Sequence, residues 1–188
     1  LNTLLSLDIK PDHIVIETSG LALPKPLVQA FQWPDVRSRL TVDGVIAVID
    51  GPAVAEGRFV DDPEAVARQR AEDPSLDHEN PLEEVYEDQL LCADMIVLNK
   101  VDLLDAETRE RVADEVKATV PRAVKLVMTQ EGRVDPAVLL GLGAAAEDDL
   151  DARPSHHDGE DEHDHEDFES FVVDVPSASS PDALIEKL

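Results

Sequence analysis

Four short apolar runs, rich in β-branched residues, set the fold class of this chain: residues 13–17 (HIVIE), 44–50 (GVIAVID), 95–99 (MIVLN) and 125–129 (KLVMT). None alternates apolar with polar residues, so each reads as a strand covered on both faces rather than one with a wet side. Between them the spacing becomes helical. Leu82, Val85, Tyr86, Leu90 and Ala93 recur on one helix face, with Pro81 suited to the first turn. Val112, Ala113, Val116 and Val120 do the same after Asp105, whose carboxylate suits an N-cap. A weaker helical pattern follows Pro24 and Pro26, and Leu1, Leu4 and Leu5 read as the tail of another helix. Buried strands alternating with helices predict an α/β fold, a mostly parallel sheet with helices on both faces. In such sheets ligands sit beyond the carboxyl ends of the strands, where chemistry is to be sought.

Charge narrows the function classes. Forty-two acids against sixteen bases leave a net charge of -26, which repels phosphate backbones and anionic membranes, so neither nucleic acid nor a membrane is an expected partner. Aromatics are 3% of the chain, so the core must come from Leu, Val, Ile and Ala. The single cysteine, Cys92, cannot form an internal disulfide, and no apolar run approaches the length of a membrane span; both fit a cytoplasmic protein. The chain opens on Leu1 inside a helical pattern, which suggests a piece of a longer protein.

The pattern breaks after residue 146. Residues 147–167 are strongly acidic and almost devoid of apolar side chains, and read as a solvated linker between a domain at 1–146 and a further segment at 168–188. That last segment offers one strand, at 168–175, and the start of a helix at 181–188, which together cannot bury themselves.

Two strand ends carry recognisable chemistry. The first run leaves through Glu17-Thr18-Ser19-Gly20. An acid at the carboxyl end of a parallel strand can hold Mg²⁺ directly or through water, and a glycine three residues on lets a backbone N–H approach a terminal phosphate. The same four residues also suit an ordinary turn. The third run leaves through Asn99-Lys100-Val101-Asp102. Here an aspartate can accept from both N1–H and N2–H of guanine, a donor pair adenine lacks. The lysine stem can lie along the base, and Asn99 can tie the loop to its neighbours.

With those residues in place, the chain closely resembles the CobW family, P-loop GTPases related to those that insert nickel into urease and hydrogenase. The likeness runs through E-T-S-G-L-A-L-P-K-P-L, L-D-H-E-N-P-L-E-E-V-Y-E-D-Q-L, N-K-V-D-L, the histidine-bearing linker and F-E-S-F-V-V. It implies an incomplete three-layer P-loop NTPase fold, or G-domain, followed by the start of a small α+β C-terminal domain. It also implies that Glu17 and Gly20 belong to the segment sensing the γ-phosphate. Asn99, Lys100 and Asp102 then form the guanine-specificity motif, with Thr129 and Gln130 supporting the base contact. The family's G-x-x-x-x-G-K-[ST] loop and its C-x-C-C metal motif do not occur in these residues. Both are expected before Leu1, so the chain alone is expected neither to hold GTP tightly nor to hydrolyse it.

The linker supplies His156, His157, His163 and His165 among acids, donors that suit zinc or cobalt. The same composition describes a soluble spacer that happens to contain histidine. His78 and His13 read instead as a surface-loop residue and a strand-packing residue, and Asp50 and Glu87 as a strand-end polar residue and a solvated helix face. By resemblance the whole protein is a GTP- and Mg²⁺-dependent metal chaperone or insertase. Its expected cargo is Co²⁺ for cobalamin synthesis, delivered to a client such as a cobaltochelatase, with Zn²⁺ for zinc homeostasis as the other cargo to weigh. A switch GTPase without metal traffic is the alternative.

Overall fold

The computed structural model describes residues 2–9, 11–59, 64–66, 68, 81–120 and 123–156. Three parallel strands, β1 (Ile46–Asp50), β2 (Met95–Asn99) and β3 (Lys125–Met128), lie in the order β1-β2-β3. Ile46 stands opposite Met95 and Asp50 opposite Asn99, while Met95 stands opposite Lys125. Helices α1 (Asn2–Leu5), α2 (Pro24–Gln29) and α3 (Pro34–Arg37) precede β1. α4 (Gly51–Ala55) and α5 (Leu82–Cys92) lie between β1 and β2, α6 (Ala106–Thr119) between β2 and β3, and α7 (Pro136–Leu139) after β3.

β2 is the strand the pattern describes best: Met95, Ile96, Val97 and Leu98 are all buried. Ile96 and Leu98 join Ala47 and Ile49 of β1 on one face, packed by Leu90 of α5, Val54 of α4, and Val112, Ala113 and Val116 of α6. Each fully buried aliphatic side chain contributes about 1.5–3 kcal/mol relative to exposure. β1 and β3 are less enclosed than their sequences suggest: Val48 and Met128 are exposed, because each strand has only one ladder neighbour among the described residues.

Residues 13–17 do not form the expected strand. Val15 is 82% exposed and Ile16 45%. An apolar run becomes a buried strand only where a neighbour pairs with it, and no described strand pairs with this one, although β1 and β3 each keep an open edge among the described residues.

Helix boundaries follow local chemistry. Asp105 caps α6 by accepting from Thr108 N–H at 2.7 Å. Asp50 caps α4 through Ala53 N–H at 3.0 Å. Pro81 precedes α5 at its cap position.

The first compact unit extends to His156, ten residues past the boundary read from composition. Residues 147–156 are not a solvated linker. Glu147 is buried, its carboxylate accepting from Val42 N–H at 2.9 Å and its carbonyl from Gln32 Nε2 at 2.8 Å. Arg153 is wholly buried: it pairs with Asp94 through two bonds, at 2.8 and 3.1 Å, and donates to the Cys92 carbonyl. Composition counts such acids and bases as solvated, whereas a buried charge survives when it is paired. The expected strand and helix within 168–188 lie outside the described residues.

Asp94 also accepts from Val45 N–H at 2.8 Å, so the pair pins the start of β2 to the approach of β1. Removing one partner of a buried pair leaves the other charge uncompensated, at about 3–5 kcal/mol. Asp94→Ala in the full-length protein is therefore expected to lower unfolding stability by that amount, and Arg153→Met by clearly less. Denaturant midpoints check the order; equal or reversed losses would show that the guanidinium desolvation does not dominate.

Candidate functional site

The carboxyl end of β2 is built from strain held by surrounding bonds. Directly after Asn99 the chain turns through Lys100, a non-glycine residue with φ 59°. A left-handed lysine costs about 1–2 kcal/mol and persists only where neighbours over-determine it. They do so here. Asn99 Oδ1 accepts from Gly132 N–H at 3.0 Å, Thr129 O accepts from Val101 N–H at 3.2 Å, and Leu98 O accepts from Thr129 N–H at 2.9 Å. Asp102 then sits exposed in the single 3-10 turn Val101–Leu103.

The second wall of this loop follows β3. Thr129 is buried, and its hydroxyl donates to Arg133 O at 2.6 Å, closing a turn through Glu131 at φ 53° and Gly132 at φ 64°. Gln130 is exposed, and its carbonyl accepts from Arg133 N–H at 3.0 Å. The structure thus brings Asn99, Lys100, Thr129 and Gln130 into one pair of interlocked loops, with Asp102 on the outer turn.

Asp50 belongs to the same site, although its sequence suggested only a strand end. Its carboxylate contacts Lys100 Nζ at 2.5 Å while capping α4. Burial pushes the Asp50 carboxyl up, but the Lys100 and Ala53 hydrogen bonds and the charges of Lys100 and Arg58 outweigh it, leaving it below the ordinary aspartate value. Gly51 is required beside it. A Cβ there would lie 3.0 Å from Asn99 O and 3.1 Å from Leu104 Cδ1. The signal available in sequence was an acid ending an apolar run immediately before Gly51-Pro52, whereas Glu17 was singled out by a glycine three residues on.

Glu17 is exposed, and Gly20 lies in a turn closed by Ala22 N–H donating to Ser19 O at 3.0 Å. Gly20 shares a cavity of about 220 Å³ with Asp50, Arg58, Tyr86 and Gln89, so the turn and the Asp50 carboxylate border the same space.

Of the linker histidines, only His156 lies among the described residues. His156 Nε2 lies 2.6 Å from Glu87 Oε2, and the His156 N–H and the Ser155 hydroxyl both donate to Asp88. The Glu87 bond, with the charges of Asp88 and Glu84, raises the imidazole above its ordinary value. Metal needs the neutral ring, so this setting competes with ligation. Glu87 is therefore a docking residue and not merely a solvated helix face. No group of three or more metal-ligating side chains gathers among the described residues; His157, His163, His165 and His78 lie outside them. His13, read as a strand-packing residue, is exposed.

Comparison with known proteins matches residues 1–127 to the CobW/HypB/UreG nucleotide-binding domain. The chain belongs to that family. Among its relatives, a zinc chaperone CobW of Sinorhizobium sp is 52% identical over 98% of this chain and 53% of its own length. One of Pseudomonas aeruginosa is 56% identical over 94% and 48%. More distant is the zinc-regulated GTPase metalloprotein activator 1 of Schizosaccharomyces pombe, 30% identical over 66% of this chain and 25% of its own length. The chain spans about half the length of the first two relatives. No solved structure matches it. The fold is accordingly an incomplete α/β P-loop domain, and among the described residues no helix is long and apolar enough to cross a membrane.

The double duty of Asp50 can be separated. Asp50→Asn keeps the α4 cap acceptor but loses the charge opposite Lys100, and a partly exposed ion pair is worth at most about 1 kcal/mol. Asp50→Ala loses the cap as well, adding about 1 kcal/mol. A carboxyl held below its unfolded value stabilises above the unfolded value, and this stability fades as pH falls through the folded one. Asp50→Asn should therefore flatten part of the stability loss below about pH 4. Thermal unfolding across that range tests both effects; a loss in Asp50→Asn as large as that in Asp50→Ala would overturn the separation.

Proposed function

We propose that the full-length protein containing this chain is a guanine-nucleotide-dependent zinc chaperone that hydrolyses GTP to control its hold on the metal. The observation that carries the nucleotide half is the Asn99–Asp102 loop: a strained left-handed lysine, cross-tied to the Thr129–Arg133 turn, projects an aspartate at the carboxyl end of the most buried strand. Such rigidity suits a site that must present one carboxylate to the N1–H and N2–H edge of guanine. Adenine would leave that carboxylate without its two donors, at a cost of several kcal/mol. In this reading Asn99 and Thr129 hold the loop, the Lys100 stem covers the base, and Gln130 lies at the rim.

Glu17 and Gly20 are assigned to the phosphate side. Glu17 is exposed and followed by Thr18 and Ser19, oxygen donors of the kind Mg²⁺ accepts, so it would hold that ion, which neutralises phosphate charge when bound. The Gly20 turn opens on the cavity it shares with Asp50. Nucleotide state then has a segment to order and release.

Zinc is preferred as cargo over cobalt because the relatives 52% and 56% identical to this chain are named zinc chaperones. His156, with His157, His163 and His165 further along, is the proposed transient holding segment, and cobalt delivery for cobalamin, with a cobaltochelatase client, is the competing assignment.

Calorimetry of the full-length protein with GTP and ATP, with Zn²⁺ or Co²⁺ present or absent, decides among these. A guanine preference that shifts with Zn²⁺ is expected, because such coupling is reciprocal. A shift with Co²⁺ alone would move the cargo to cobalt, and metal indifference would leave a switch GTPase. Asp102→Asn is expected to weaken GTP binding by about 10²-fold or more and to favour xanthosine triphosphate, whose C2 carbonyl accepts where guanine donates. Unchanged guanine preference in that variant would remove Asp102 from the site.

A further inference from the structure

The guanine loop leaves one conspicuous contact unused. Gln89 of α5 reaches across nearly seventy residues of sequence, and its Nε2 donates to two main-chain carbonyls, Gly20 O at 2.9 Å and Ala22 O at 3.1 Å. An amide NH₂ carries two hydrogens, so both bonds form together. Between them, Ala22 N–H donates to Ser19 O at 3.0 Å. Because each peptide unit is planar, these three bonds fix the three successive peptide planes that follow Gly20. A Cβ on Gly20 would meet no atom within 4 Å, so its backbone is sterically approachable.

Position on the helix gives the contact further reach. α5 ends at Cys92, and three residues later the chain enters β2, whose far end leads into Asn99, Lys100 and Asp102. Val85, Leu90 and Cys92 of α5 are buried, and Leu90 packs with Ile96 and Leu98 in the main core. The Gly20 turn is thus fastened by one side chain to the element that leads into the base-reading strand. By contrast, residues 13–17 join no sheet that would hold the turn from its own side.

We propose that Gln89 is a positioning residue for nucleotide hydrolysis, holding the Gly20–Ala22 peptides so that the turn presents its backbone to the terminal phosphate. This rests on the assignment of the Gly20 turn to the phosphate side. Gln89 acts through main chain and touches neither phosphate nor base. It therefore affects the chemical step and leaves guanine recognition alone, since the Asn99–Asp102 loop has its own ties to Gly132 and Thr129.

Gln89→Glu tests this, because the carboxylate matches the amide in shape but only accepts, and it would face two carbonyls. In the full-length protein the variant is expected to lower kcat for GTP hydrolysis about tenfold or more, with KM and GDP affinity held within about twofold, since a misplaced backbone group costs rate rather than base binding. Gln89→Lys, which restores donors, should recover most of the loss. In nucleotide-free protein, hydrogen exchange at the Ala22 amide should quicken at least about tenfold in Gln89→Glu while amides of β2 stay protected. An unchanged kcat, or a parallel loss of kcat and GDP affinity, would overturn the proposal. A wild-type protein inert toward GTP would instead defeat the guanine reading. The exchange measurement then decides alone: an unaltered Ala22 amide overturns Gln89 as the residue that holds this turn.

Discussion

Everything described here depends on β2 being enclosed on both faces and both edges. Met95 to Leu98 are buried, β1 and β3 pair along its sides, and α4, α5 and α6 cover the face made by Ile96 and Leu98. A slip of this strand by one residue would draw Asp94 or Asn99 into the buried stretch, where an unpaired polar side chain is costly. Its ends are therefore fixed points, and the chain attaches something polar to each. At the start, Asp94 gathers Arg153 and the Val45 N–H. At the finish, Asn99 and Lys100 gather Gly132 and Asp50.

Those two ends solve different problems with related chemistry. The Asp94–Arg153 pair is almost dry, so it matters chiefly as a cost if broken, and it ties the segment just before His156 to the root of β2. The Asp50–Lys100 pair is wetter, with the lysine 41% and the aspartate 20% exposed, and contributes less stability. What it supplies is direction. It holds a left-handed residue and its side chain at the mouth of the site, where a backbone preference alone would relax. Glu87 and Asp88 on α5 dock His156 and Ser155, while the next residue, Gln89, docks the Gly20 turn. One helix therefore docks both the Gly20 turn and His156.

The sequence made the strands of the sheet and the long helices legible because burial and periodicity are local signals. β2 matched its apolar run residue for residue, and α6 began at the aspartate chosen as its cap. Residues 13–17 show the limit: their composition is that of a strand, but whether a neighbour pairs with them is not written in five residues. Glu147 and Arg153 show another. Composition assigned them to solvent, and only the fold reveals the Val42 N–H, the Asp94 carboxylate and the Cys92 carbonyl that let them be buried. In the candidate site, Asn99, Lys100 and Asp102 stood out through their spacing after an apolar strand. Asp50 and Gln89 did not, because their partners are brought near only by parallel pairing in one case and helix packing in the other.

Net charge deserves the same local treatment. A chain at -26 should on average repel a polyanionic nucleotide. At physiological ionic strength, however, exposed charges beyond about 8 Å are largely screened. What a phosphate would meet near the Gly20 cavity is governed by Arg58, itself paired to Glu56, and by the Asp50 carboxylate. The distant acids act on a different class of ligand. Diffuse negative charge raises the local concentration of cations, and in the segment after His156 it accompanies imidazoles that can hold a soft-to-borderline metal. An acidic chain is thus poorly suited to nucleic acid yet compatible with a nucleotide that brings its own Mg²⁺, and its bulk charge favours metal ions over other anions.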